Sequence, residues 1–198
     1  MGRKSGNCLP FRHGTSSEKQ VPTGAPQTEK AEKIIAVMGQ SGSGKADLIR
    51  QLARNSWQRP DRAHPHRVTA IEVDVRNVRV TLLNTPDVGK NSPEAVIACY
   101  LREWLQQSGA HLTGILYFQD LDDRRVIRLN LDCFRDLCEV DEVYPTVLLV
   151  ATGKRSIMHK ELQDGEWKNA VGKGAKTYVY MNTKESAEEA IRHVVACS

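Results

Sequence analysis

No apolar run in this 198-residue sequence approaches the roughly 18–20 residues that a helix needs to cross a bilayer, so no transmembrane segment is expected. The first residues lack the apolar core of a secretory leader, and "MGRKSG" places Gly6 where an acylation signal wants Ser or Thr. The five cysteines (Cys8, Cys99, Cys133, Cys138 and Cys197) are odd in number and never spaced C-x-x-C. That argues against a disulfide framework or a zinc site and for a reducing, cytoplasmic setting. Three of them (Cys99, Cys133 and Cys138) fall in helical patterns, where cysteine ordinarily acts as a small buried apolar residue. No Ser–His–Asp or Cys–His set has sequence support. His64 and His66, two apart in "AHPHR", read as a solvated loop pair.

Basic charge is also scarce where it would matter. The net charge is +4, but residues 1–33 hold six Lys/Arg and three Asp/Glu, leaving 22 against 21 in the remainder. A near-neutral body offers no basic stripe, which excludes nucleic acid as the expected partner. Residues 1–31 mix Gly, Pro, Ser, Thr, Lys and Gln with almost no aliphatic side chains. Such a stretch buries too little surface to offset its ordering entropy, so it reads as a disordered tail. The folded domain is expected over 32–198.

What is present alternates. "KIIAVM" (33–38) is a buried strand, and Leu48, Ile49, Leu52 and Ala53 recur at helical spacing after it. Residues 55–67, with two prolines, read as a loop. Residues 68–84 alternate apolar and polar on both sides of Arg76-Asn77, as a hairpin does. Next comes a helix capped by Ser92, with Pro93 at its first position and Gly109 at its close. Its apolar stripe is Val96, Ile97, Tyr100, Leu101, Trp104 and Leu105. Strands are expected at 112–119, 146–152 and 177–181, and helices at about 125–139, 157–172 and the C-terminus. The last helix turns Ala187, Ala190, Ile191, Val194 and Val195 inward. Strand–helix alternation with one hairpin predicts a three-layer α/β fold, its sheet mostly parallel with one antiparallel edge strand.

The first strand runs into "GQSGSGKA", with the spacing G-x-x-x-x-G-K of a phosphate-cradling loop. Gly39, Gly42 and Gly44 allow the backbone to turn its N–H groups toward an anion, and the following helix adds its positive end. Lys45 then reaches the outer phosphates. The bland alternative is a Gly-rich turn that only joins strand to helix. Ala46 stands where the motif wants Ser or Thr as a metal ligand.

Further along, "LNTPD", "LTGILYFQDLDDRR", "FRDLCE" and "LVAT" follow "IAVMGQSGSGKA" in order and spacing. In these motifs, over about residues 33–196, the chain resembles the AIG-like and septin-type G-domain proteins, above all those of mushroom-forming fungi. Their pattern runs "IAVMGxTGSGKS", "DTPG", "LTGIIYLHRISDxR", "FRxLCG" and "VTT". The resemblance implies the P-loop fold of a Ras-like G domain and GTP or GDP as ligand. Carried over by position, Gly39, Gln40, Ser41, Gly42, Ser43, Gly44, Lys45 and Ala46 form the nucleotide loop. Asn84, Thr85, Pro86 and Asp87 form the switch segment, where the family has D-T-P-G. Two Mg²⁺-side positions are altered, at Ala46 and Asn84, and the glycine that reads the γ-phosphate is Asp87. Asp87 itself reads either as a local metal contact or as a solvated turn residue. No Asp follows "TGK" to read guanine, so guanine preference rests on the resemblance. The family also implies pairing of two domains across their nucleotide faces. The expectation is a guanine-nucleotide-binding domain with Mg²⁺-dependent hydrolysis weakened or lost. The competing expectation is a non-catalytic pseudo-GTPase that serves as an interaction module, and a small-molecule P-loop kinase lacks a lid and an acceptor site.

Overall fold

The computed structural model describes residues 33–53, 67–123, 129–154 and 165–196. The expected tail (1–31), most of the 55–67 loop with His64 and His66, and the expected helical residues 125–128 and 157–164 lie outside the described residues.

Strand β1 (Lys33–Gly39) is Ile- and Val-rich, and every residue after Lys33 is buried. Because side chains alternate along a strand, its residues divide between two cores. Ile34, Ala36 and Met38 enter one cluster, and Ile35 and Val37 enter the other. A strand buried on both faces belongs at the middle of a sheet. Helix α1 (Lys45–Ala53) follows, burying Leu48, Ile49, Leu52 and Ala53. The hairpin forms as expected: β2 (Thr69–Val75) and β3 (Val78–Asn84) pair antiparallel around Arg76 and Asn77, both at positive φ. That pair of left-handed residues gives a two-residue turn whose twist suits the strands.

Helix α2 (Glu94–Ser108) begins one residue later than its sequence signal. Pro93 is the cap, and Ser92 is instead held in a backbone bridge to Gly89. Gly109 closes the helix in the left-handed region, as expected. Of the stripe, Ile97, Leu101 and Leu105 are buried, while Tyr100 and Trp104 pack at its margin. Cys99 lies on the exposed side, against the expectation for a helical cysteine, and Cys138 is buried.

Strand β4 (Gly114–Asp120) starts two residues after its expected position. A side chain at Gly114 would meet Val194 and the Thr146 carbonyl, so only glycine admits the chain there. Among the described residues, the expected 125–139 helix is a 3-10 turn (Asp132–Phe134) running into α3 (Arg135–Cys138). Glu139, at positive φ, ends it. Leu131, Phe134, Leu137 and Cys138 still reach the core, because spacings of three and four suit both helix types. Strand β5 (Val147–Thr152) is followed, after the turn at 165–167, by α4 (Lys168–Gly172). Strand β6 (Lys176–Val179) ends before Met181, which is exposed rather than part of a strand. Helix α5 (Lys184–Val195) is capped by Thr183, whose hydroxyl accepts from the Ser186 N–H.

The six strands lie in the order β2-β3-β1-β4-β5-β6, parallel except for the β2–β3 pair at one edge. One core joins Met38, Tyr117 and Leu149 to α2, α3 and Trp167; the other joins Val37, Phe118 and Val150 to α1 and α5. Each fully buried aliphatic side chain contributes about 1.5–3 kcal/mol. The two-sided burial thus fixes the carboxyl end of β1, where the glycine loop begins.

Candidate functional site

The loop between β1 and α1 is held from three directions. Gly39, at φ 142°, lies so close to β4 that an added Cβ would sit 2.3 Å from the Phe118 carbonyl oxygen. A turn forms where the Ser43 N–H donates to the Gln40 carbonyl (3.2 Å), and the first α1 bonds end on the Gly44 carbonyl. From β5, the Thr152 hydroxyl donates to the Ser43 carbonyl at 2.9 Å. Gly42 and Gly44 have φ of 79° and 95°, the left-handed backbone that a concave run of N–H groups requires. The Ser43 hydroxyl is buried and has no hydrogen-bond partner. A buried polar group without a partner is uncommon; this one packs against Gly39, 2.8 Å from where a Cβ on that residue would stand.

Lys45, the first residue of α1, folds its side chain back into the loop and is 6% exposed. Its ammonium donates to the Gly39 carbonyl at 2.9 Å and to the Asp87 carboxylate at 2.7 Å. Longer contacts of 3.4 Å reach the Thr85 and Pro86 carbonyls. Burial pulls the ammonium pKa below its usual value, and the Asp87 charge and hydrogen bond oppose that shift. The site thus keeps one buried cation among carbonyls, with a single carboxylate beside it.

The segment after β3 supplies that carboxylate. Asn84 is the last residue of β3, paired to Val37 on β1 and Thr69 on β2. Thr85 is buried and donates to the Val37 carbonyl through both its N–H (3.2 Å) and its hydroxyl (3.1 Å). Two residues beyond Pro86, the Val88 N–H donates to the Gly39 carbonyl at 3.0 Å. Gly39 therefore accepts from both Lys45 and Val88, tying loop, helix and switch segment at one oxygen.

The structure brings Gly39, Gly44, Lys45, Thr85, Pro86 and Asp87 together. Ala46 is exposed, and its methyl offers no ligand. The two Mg²⁺-side positions and Asp87 depart from the family pattern in three ways. The hydroxyl ligand is missing at Ala46, Asn84 carries no charge, and the Asp87 carboxylate is engaged by Lys45. Thr69 begins β2, as its place in the sequence implied. At the other end of the site, the "DLDD" carboxylates support the turn after β5. Asp122 accepts from the Lys154 N–H at 2.8 Å, and Asp120 accepts from the Asp122 N–H at 2.9 Å.

Two features escaped the sequence. The Lys45–Asp87 pair joins residues 42 apart, and neither reading of Asp87 named that partner. Thr152 supports the loop from β5, and its signal was only a Thr at the end of an apolar strand. Trp167 is fully buried, its indole N–H donating to Gln119 at 2.8 Å.

No family model matches the chain. A 57-residue stretch is 40% identical to ABC transporter G family member 5 of Oryza sativa subsp. japonica, covering 26% of this chain. The stretch spans 7% of that transporter's length. Among solved structures, Toc33 of Arabidopsis thaliana in complex with Mg²⁺ and GMPPNP superposes with a TM-score of 0.57 at 15% identity, covering 84% of each chain. Toc33 in complex with GDP and Mg²⁺ gives 0.57 at 12% identity with the same coverage. At such identities the likeness is one of architecture, and it agrees with the strand order and the loop position. The chain has the mixed α/β fold of the P-loop GTPase G domains.

Proposed function

We propose that residues 32–198 form a guanine-nucleotide-binding domain of the AIG-like and septin type, acting in the cytoplasm, whose Mg²⁺-dependent hydrolysis is weak or lost. The observation that carries this reading is the buried Lys45 ammonium folded into a glycine loop at the end of the central strand. The G-domain architecture supports it. Toc33 was crystallised with GDP and with GMPPNP, which makes guanine nucleotides the first ligands to try. The loop's own groups supply binding: backbone N–H donors and Lys45 meet the phosphates, and Thr152 and Thr85 hold the surrounding backbone in place.

Hydrolysis asks for more. A metal that neutralises charge on the transferring phosphoryl needs ligands and a second shell, and Ala46 and Asn84 remove both supports. A second reading, a non-catalytic interaction module, is favoured by the Lys45–Asp87 ion pair, which satisfies the lysine without any nucleotide. Titration with GDP and GMPPNP separates the two. The nucleotide reading expects saturable binding that Lys45→Ala weakens by about tenfold or more, since a charge-assisted contact is removed. No binding by the wild type at millimolar nucleotide would leave the interaction module as the function.

A further inference from the structure

Asp87 stands out as the acidic group placed against the phosphate-binding lysine. Its carboxylate lies 2.7 Å from the Lys45 ammonium, as short as any contact that ammonium makes. It arrives from the segment after β3 and is half exposed. There Thr85 and Val88 pin the backbone to β1 through Val37 and Gly39. In a P-loop the backbone N–H groups cradle the inner phosphates while the lysine reaches the β-phosphate and, in a triphosphate, the terminal one as well. The lysine's shortest contact here is with a carboxylate of this chain, a group that competes with phosphate for the same ammonium.

We propose that Asp87 is a built-in acidic occupant of the terminal-phosphate position, so that the site selects a nucleoside diphosphate over a triphosphate. The inference rests on the nucleotide-binding reading above and names the ligand class within it. A diphosphate asks the Lys45 ammonium for one contact, to its β-phosphate, which the ammonium can make while still donating to Asp87. A triphosphate must bring its terminal phosphate to the same ammonium, beside a like charge, or displace the carboxylate from it. The residue's setting bounds the effect. The Asp87 side chain is 52% exposed, so it can swing toward water when displaced, and solvent screens part of the repulsion. A preference of about tenfold, rather than total exclusion, follows from a half-exposed charge. The two anchors at Thr85 and Val88 are backbone bonds of neighbouring residues, so substituting Asp87 leaves them standing.

The test is equilibrium binding of GDP and GMPPNP in EDTA, so that no cation masks the charge. Wild type is compared with Asp87→Asn, Asp87→Ser and Asp87→Glu, each first shown to melt cooperatively near the wild-type temperature. The expected wild-type ratio favours GDP by about tenfold or more, Asn and Ser bring it to within about threefold of unity, and Glu preserves the preference. Equal affinities in the wild type, or a ratio unmoved by both Asn and Ser, would overturn the inference and leave the nucleotide reading intact. Failure of both nucleotides to bind the wild type would overturn the two together.

Discussion

Two segments meet at the carboxyl end of β1, and they depart from their motifs in opposite ways. The loop Gly39–Lys45 retains the G-x-x-x-x-G-K spacing and is braced by β4 and β5. The segment Asn84–Asp87 keeps its path across the end of β1 but has changed the side chains at both ends of the D-T-P-G pattern. The first segment works through its backbone, whose N–H groups need only glycines and anchors. The second works through a carboxylate and a bare glycine, and those are what a substitution removes. On the proposed reading, binding belongs to the first segment and metal-assisted chemistry to the second, so the two should be separable by experiment.

The most damaging way to break this contrast is Gly39→Ala. A Cβ there meets the Phe118 carbonyl at 2.3 Å on backbone at φ 142°, and neither side can yield. Overpacking and backbone strain together should cost roughly 3–5 kcal/mol, read as a large fall in the thermal midpoint. Gly42→Ala is the control. It also has positive φ, but nothing lies within 4 Å of an added Cβ, so only about 1–2 kcal/mol of strain is expected. A loop that tolerated both equally would not be the braced element described above.

The smallest effect should come from Thr85→Val. The lost hydroxyl donates to the Val37 and Pro86 carbonyls, at 3.1 Å each. Val37 keeps the Thr85 N–H, and Pro86 keeps the longer Lys45 contact, so neither acceptor is orphaned. The cost should be about 1 kcal/mol, a shift of a few degrees in the midpoint. A loss of several kcal/mol would mean that the hydroxyl, rather than the backbone, holds the switch segment.

The same division explains what could be read from the amino acids. Ile34 to Met38, the Arg76-Asn77 turn and Gly109 declared themselves, because strand burial, hairpin twist and helix closure each leave a local pattern. The glycine loop was legible for the same reason, its requirement being positive φ at set spacings. The start of β4 was not, since Gly114 is dictated by Val194 and Thr146, which come from distant parts of the chain. Cys99 turned outward because the stripe of α2 is narrower than its apolar composition implied. The Lys45–Asp87 pair was hidden by distance along the chain: it appears only once β1 and β3 lie side by side.

One measurement bears most directly on the separation of binding from metal chemistry: GDP and GMPPNP affinity with Mg²⁺ and again with EDTA. It is run on the wild type and on the double variant Ala46→Ser with Asn84→Asp. For the wild type the expected change between the two conditions is within about threefold, because the contacts are backbone N–H groups and Lys45. The double variant restores a hydroxyl ligand and a carboxylate for one ion, and its affinity should rise about tenfold or more with Mg²⁺. A tenfold or greater loss of wild-type affinity on chelation would contradict the separation, showing that this chain still binds its nucleotide through a metal.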